Sequence, residues 1–219
     1  MAIVHLSFDN GPDPVGTPRV LTALAERRIS ATFFALGSRL DASGGDELAG
    51  MVLAEGHRLG NHTYHHATPL GRLDAAASVD ELVRTDEALA RVGGDRVFRP
   101  YGGGGSVGPH LLHASAARWL EAHRYTCVLW DSVPGDFRDP VGYLDRAVDD
   151  CARADRVTMV LHDGVPEATE RLAELLDRLT DAGHVFAPGW DPELELMRDG
   201  VPRPDFHRYV TPHPGGSNP

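Results

Sequence analysis

Short β-rich runs return along this chain at intervals filled by helix-patterned sequence, and that alternation restricts the fold more than any other feature. Strands separated by helical crossovers pair in parallel. Seven such runs are legible, at residues 3–8, 31–37, 57–64, 96–100, 125–131, 156–162 and 184–188. They predict an α/β domain whose parallel sheet either closes into a barrel or lies open and doubly wound. In both arrangements the functional groups collect at the carboxyl ends of the strands.

Helix starts are marked by Thr17-Pro18 as cap and first turn, by a capping box from Ser78 to Glu81, and by Pro166 at the head of the last long helix. In that helix Leu172, Leu175, Leu176 and Leu179 form one apolar stripe suited to packing on a sheet. Beyond Trp190 the chain is rich in Pro, Gly and charge. Residues 1–190 therefore read as a single domain and 191–219 as an extended tail over the surface, partly disordered at its end. The tail's Phe206, His207, Tyr209 and His213 could cover the mouth of a site, build a subunit contact, or lie in solvent.

A length of 219 residues with 42% hydrophobic and 24% charged composition accommodates one sizeable core. The net charge of −11 speaks against a nucleic-acid surface or an anionic membrane as partner. No apolar stretch is long enough to span a bilayer. Cys127 and Cys151 lack paired spacing, so neither a disulfide framework nor a cysteine metal site is expected. All 21 basic residues are arginine, which removes lysine from every mechanism. Strand-like sequence begins by Ile3 without a basic, apolar and small-residue leader, and the expected location is the cytoplasm.

Polar residues fall where the strand-end rule wants them. Asp9 and Asn10 follow the first run, His62 and His66 close the third, Arg99 ends the fourth, Asp131 and Asp136 follow the fifth, and His162 and Asp163 follow the sixth. Singly, each has an ordinary reading as a cap or a satisfied core residue; together they mark one rim. His62 and His66, four residues apart, face one side of a helical turn and can share a cation. His65 pairs with neither. With no cysteine or HExxH glutamate at hand, the Asp9/Asn10 pair is the natural source of a third ligand.

The stretches "SFDNGP", "NHTYHH", "FRPYG", "GDF" and "VLHD" occur in the order and approximate spacing of the polysaccharide deacetylase family, also called the NodB-homology domain or carbohydrate esterase family four, which residues 1–190 resemble. That resemblance implies a deformed (β/α)7-type barrel and removal of acyl groups from amide nitrogen, most often on N-acetylated sugars. It implies a divalent metal, zinc first with Co2+, Ni2+ or Mn2+ as alternatives, and a small-molecule or oligosaccharide substrate. By the same comparison Asp9 is the general base, Asn10, His62 and His66 hold the metal, and Arg99 orients the base. Asp136 steadies the Arg/His network, His162 is the general acid, and Tyr101, Gly102, Phe137 and Leu161 bind substrate.

Three departures stand out. Asn10 replaces an aspartate, which lowers affinity for a divalent cation while leaving a bound ion a stronger Lewis acid. The third motif has Tyr101 directly after Pro100, so the backbone N–H that faces an oxyanion is displaced. In the fourth motif Val133 and Phe137 replace an aspartate and a tryptophan, reshaping the groove. These departures keep a second reading open, a degenerate deacetylase that binds without turnover. A third reading retains hydrolysis but moves it to a formamide or a cyclic amide. The G-x-G-x-x-G from Gly103 to Gly108 is followed at once by Pro109, and it reads as a mobile substrate loop rather than a nucleotide site.

Overall fold

The structure, a computed structural model, describes residues 1–212. The expectation of disorder at 213–219, and the reading of His213, lie outside the described residues. Along β1 (Ile3–Asp9) alternate side chains go to opposite faces. Val4, Leu6 and Phe8 enter the large apolar core under the helices. Ser7 and Asp9, on the other face, meet Arg99 inside the curl of the sheet. The same parity runs along β6 (Arg156–His162), where Val157, Met159 and Leu161 join the outer core while Val160 and His162 face inward.

The remaining strands are β2 (Thr32–Ala35), β3 (Arg58–Asn61), β4 (Val97–Phe98), β5 (Thr126–Val128), β7 (Val185–Phe186), β8 (Glu195–Arg198) and β9 (Val201–Pro202). They form one sheet in the order β6-β1-β2-β3-β4-β5-β8-β9, with β7 also paired to β1. Pairing is parallel from β6 through β5 and antiparallel at β5–β8 and β8–β9. β6 covers one edge of β1 from Ile3 to Asp9, so β7 and β2 share the other edge, at Ile3–Val4 and Ser7–Asp9 respectively. The two ends of the curl approach at a bridge from Ser132 to Met159, where Val160 N–H donates to Ser132 O at 2.9 Å. The chain is thus one α/β domain built on a curled, half-barrel mixed sheet.

Helices α1 (Gly16–Arg27), α2 (Gly37–Leu40), α3 (Gly45–Ala54), α4 (Ala75–Val92), α5 (Ala114–Ala122), α6 (Tyr143–Ala152), α7 (Pro166–Thr169) and α8 (Leu172–Asp181) fill the crossovers. Leu172, Leu175, Leu176 and Leu179 of α8 are all buried against the sheet, as their spacing predicts. Pro166 opens only the single turn of α7, and the leucine stripe belongs to a separate helix. Among the described residues no helix is long and apolar enough to cross a membrane.

Several boundaries differ from the sequence reading. α4 starts three residues before Ser78, because Asp74 caps it by accepting from Ala77 N–H at 2.8 Å; Ser78 is inside the helix, its hydroxyl turned to Ala75 O. α1 likewise begins ahead of Thr17, with Asp13 accepting from the N–H groups of Val15 and Gly16. The segment expected as a surface tail instead supplies β8 to the sheet edge. Leu196, Met197 and Phe206 bury themselves in a second core with Phe98, Leu120 and Tyr125. Apolar residues in a Pro-rich stretch find a free strand edge, and edge pairing satisfies the backbone that a solvated tail would leave to water.

Candidate active site

The parallel register of β1 and β6 sets Asp9 directly beside His162. Both line a cavity of about 420 Å³ at the carboxyl ends of the strands, together with Asn10, His62, His66, Tyr101, Gly102, Trp130, Val133, Phe137, Arg138 and Val160. Behind Asp9 the fully buried Arg99 guanidinium donates through Nη1 to Asp9 Oδ1 at 2.9 Å and to Ser7 Oγ at 2.5 Å, and rests 4.1 Å from the Phe34 ring. Burial alone would raise the Asp9 carboxyl; Arg99, with His62 and His162, outweighs it and holds the group below its ordinary range. Asp9 is therefore a carboxylate at neutral pH. Ser7, which sequence reading passed over, completes this support by donating to Met159 O at 2.7 Å.

His162 presents its Nδ1 to Asp136 Oδ1 at 2.8 Å, while its backbone N–H donates to Asp136 Oδ2 at 2.7 Å. A carboxylate only accepts, so Nδ1 carries a proton and Nε2 is the atom available for proton exchange. Burial disfavours the imidazolium, yet the Asp136 hydrogen bond and the nearby carboxylates raise the His162 pKa above its ordinary value. The Phe137 ring meets His162 edge-on at 4.9 Å. Asp136 thus steadies the histidine alone; Arg99 draws on Asp9, Ser7 and Leu129 O.

His62 and His66 sit in the loop after β3 rather than on a helical turn, and their rings still converge, 4.7 Å apart. His62 Nδ1–H donates to Arg99 O at 2.8 Å, which leaves the Nε2 lone pair free, 3.5 Å from Asp9 Oδ2. His66 packs on the Tyr101 ring at 3.8 Å, and burial, helped by His62, pushes its pKa down to about 3. Both rings are neutral at pH 7, the form that ligates.

The backbone carrying them is strained. Thr63 and His66 have φ of 72° and 56°, and Asn10, across the cavity, has 74°. A β-branched residue such as Thr63 rarely occupies that region. Glu81 of α4 holds the loop there, its Oε2 accepting from the N–H groups of Tyr64 and His65 at 2.8 Å each and its Oε1 meeting His65 Nδ1 at 2.6 Å. Asn61 Oδ1 adds a bond from Thr63 N–H. Strain persists because several bonds over-determine it.

Among the described residues no three His, Cys, Asp or Glu side chains form a metal cluster; the third donor here is an amide. Asn10 Oδ1 is buried without any hydrogen-bond partner, on the wall shared with the two imidazoles. An unpaired buried carbonyl oxygen and two neutral imidazoles, on residues that line one cavity, are a donor set that suits a divalent cation.

Leu161 does not reach this cavity. One residue out of phase with His162, it points to the helix side, and Val160 supplies the apolar wall instead. Asp131 holds Thr158 N–H at 2.7 Å and stays outside the site. Trp130, another residue the motifs did not flag, floors the glycine turn. Its ring lies where a Cβ on Gly102 would come within 2.6 Å, and its Nε1–H donates to Gly105 O at 3.3 Å. Gly102 is required for this close approach.

The family model for polysaccharide deacetylase matches residues 2–114, more than half of the chain. This chain belongs to the polysaccharide deacetylase family. Members of that family are hydrolases of carbon–nitrogen bonds other than peptide bonds and are generally metal-dependent. The chain is 36% identical over 201 residues to a chitooligosaccharide deacetylase of Sinorhizobium fredii, covering 84% of this chain and 88% of that one. It is 29% identical over 187 residues to the peptidoglycan-N-acetylmuramic acid deacetylase PdaC of Bacillus subtilis, covering 83% of this chain but only 37% of PdaC. The crystal structure of a polysaccharide deacetylase from Bacillus cereus superposes with a TM-score of 0.73 at 21% identity over 87% of this chain and 93% of that one, a likeness of fold. The curled sheet is thus the polysaccharide deacetylase fold.

Proposed function

We propose that the chain hydrolyses the N-acyl group of an amino sugar, presented in an oligosaccharide or a small sugar-containing metabolite. The observation that carries this reading is Asp9 as a carboxylate beside His162 with a raised pKa, both on one cavity wall. A base and an acid of opposite tendency in one cleft are what amide hydrolysis demands, since water must lose a proton and the departing amine must gain one.

Asp9 accepts the proton of the attacking water as its oxygen bonds to the acyl carbon. His162 Nε2 then protonates the amine nitrogen as the C–N bond breaks, releasing carboxylic acid and amino sugar. Arg99 fixes the base and Asp136 fixes the ring of the acid. The turn at Tyr101–Gly102 brings main-chain groups to the wall where an oxyanion develops. His62, His66 and Asn10 are the residues that would hold a divalent cation, zinc by the borderline-soft character of imidazole, with Co2+, Ni2+ or Mn2+ as alternatives. Such an ion supplies Lewis-acid polarisation of the acyl carbonyl and lowers the pKa of water.

Asn10 and Val133 support a second reading, a binding protein that no longer turns over. Purified protein incubated with N-acetylated chitooligosaccharides, a formamide and a cyclic amide, with acetate, formate and ring-opened product measured beside metal content, separates the cases. Acetate and free amine are expected. No turnover in protein shown to be loaded with metal would leave the binding reading.

A further inference from the structure

Gly102, Gly103, Gly104 and Gly105 follow one another along the cavity wall, and glycine loses more backbone freedom on ordering than any other residue. The structure nonetheless ties the run at both ends. Ser106 Oγ meets Gly102 O at 2.6 Å, and His110 Nε2 lies 3.3 Å from both Gly102 O and Ser106 Oγ. A carbonyl oxygen only accepts, so the serine O–H donates to it and the imidazole carries a proton on Nε2, shared between the two oxygens. At the other end Trp130 Nε1–H donates to Gly105 O at 3.3 Å. The run read from the sequence as mobile is thus clamped.

His110 is itself held from behind. It belongs to the short 3₁₀ turn Pro109–Leu111, against which the C-terminal segment lies: Leu112 N–H donates to Tyr209 O at 3.1 Å, Thr211 N–H to Leu112 O at 2.8 Å, and Thr211 Oγ1 sits 2.9 Å from Pro109 O. The clamp has a consequence for the main chain. In a trans peptide the C=O and the following N–H point opposite ways, so gripping Gly102 O turns the Gly103 N–H away from Ser106 and His110. Among the described residues no main-chain N–H from Tyr101 to Gly108 donates to another main-chain group. Unspent donors on a backbone held in one shape at the cavity wall suit the charge that develops on an acyl oxygen.

We propose that Ser106 and His110 are positioning residues, which fix the Gly102 peptide so that the turn keeps the shape in which its main chain meets the acyl oxygen. This deepens the deacylase reading and rests on it. Neither side chain touches the reacting atoms; both act through the Gly102 carbonyl.

The test pairs turnover of an N-acetylated chitooligosaccharide with the indole 1H–15N resonance of Trp130, assigned by its loss in Trp130→Phe and read on the intact protein without substrate. Ser106→Ala should lower kcat by about 10- to 100-fold, the scale of a misplaced group. KM should change by less than about threefold, because the oxyanion exists only on the way through the transition state. Ser106→Thr, which keeps the hydroxyl, should restore kcat. His110→Ala should act in the same direction, and the double variant should be little worse than Ser106→Ala, since the two residues hold one carbonyl. In Ser106→Ala the Trp130 indole proton should shift and exchange faster with solvent, and in Ser106→Thr it should match the wild type. A kcat loss that Ser106→Thr does not restore, a change confined to KM, or a Trp130 signal unmoved in both alanine variants would overturn the proposal. A Trp130 signal that moves as expected in a protein whose wild type shows no turnover would leave the clamp standing while removing the deacylase reading.

Discussion

Arg99 and Asp9 form a fully buried ion pair, Nη1 to Oδ1 at 2.9 Å, reached from strands whose partners lie between them in the sheet. On the proposed mechanism the pair ties the general base to folding. Replacing Asp9 by alanine leaves a guanidinium in the interior with only Ser7 and Leu129 O to satisfy it, and loss of one member of a buried pair typically costs about 3–5 kcal/mol. Asp9→Ala should therefore abolish deacylation and also lower the midpoint of urea unfolding. Asp9→Asn keeps one acceptor for Nη1 and should be equally inactive with a smaller stability loss. Equal unfolding midpoints for Asp9→Ala and the wild type would show that the pair does not hold the interior.

The pH dependence of turnover follows from the two opposed shifts. Asp9 lies below the usual carboxylate range and stays ionised well into mild acid. His162 is raised above 6.5, and only its protonated form can serve the leaving amine, so kcat should fall as pH rises through that raised value. Asp136→Asn removes the hydrogen-bonding charge that does the raising. The alkaline limb of the kcat profile should move to lower pH and kcat should drop by about 10²-fold. An unmoved limb would assign it to another group.

How much of this was legible in the sequence depends on the kind of constraint. The parallel strands and the α8 stripe were readable because hydrophobic periodicity reports burial directly, and the meeting of Asp9, His62 and His162 on one rim because the carboxyl ends of neighbouring parallel strands converge. Leu161 was misplaced: a motif gives a neighbourhood, while the two-residue repeat of a strand decides which neighbour faces the cavity. β8 escaped notice because its pairing depends on a free edge of β5, a fact of tertiary structure. Glu81 was read as half of a capping box, a local pattern that competed with Asp74 and lost, and its long-range role beneath the histidine loop has no local signature.

That role makes Glu81 a sharp probe of the strained loop. Three bonds run from its carboxylate to Tyr64 and His65, and the helix that bears it is capped elsewhere, by Asp74. Glu81→Ala should leave α4 intact by circular dichroism yet let the backbone at Thr63 and His66 relax from positive φ. Supporting bonds of this kind are worth about 10- to 100-fold in metal affinity. A zinc titration against a competing chelator should show that loss, and unchanged affinity would mean the loop holds its shape unaided.

Asp163 gives a stability prediction independent of catalysis. Its carboxyl is buried, with Oδ2 accepting from Thr17 Oγ1 at 2.5 Å and Oδ1 unpaired, and burial raises its pKa to about 7. Unfolded, it would titrate near 4. Between those values the folded chain binds a proton that the unfolded chain lacks, so this group's contribution declines as pH rises through the window and is flat beyond it. The difference is on the order of 4 kcal/mol. Asp163→Asn mimics the protonated form and should raise Tm by several degrees at pH 8 while changing little at pH 4. A pH-independent difference between the two proteins would refute the shift.

Asn10 tests the proposed cation site. Its Oδ1 is buried without a hydrogen-bond partner, in a residue that lines the same cavity as His62 and His66, and it brings no charge. Asn10→Asp adds a negative ligand at the same position, so divalent affinity should rise at least about tenfold, measured by chelator competition, while Asn10→Ala should lower it. The effect on rate has two opposing parts. Added charge makes the bound ion a weaker Lewis acid but makes Asp9 a stronger base, because less positive potential reaches its carboxylate. If the wild type holds metal and deacylates, kcat should change less than affinity does. Were the wild type to be metal-free and inactive, with Asn10→Asp gaining both metal and turnover, the native chain would be a binding protein whose chemistry had been removed at this one residue.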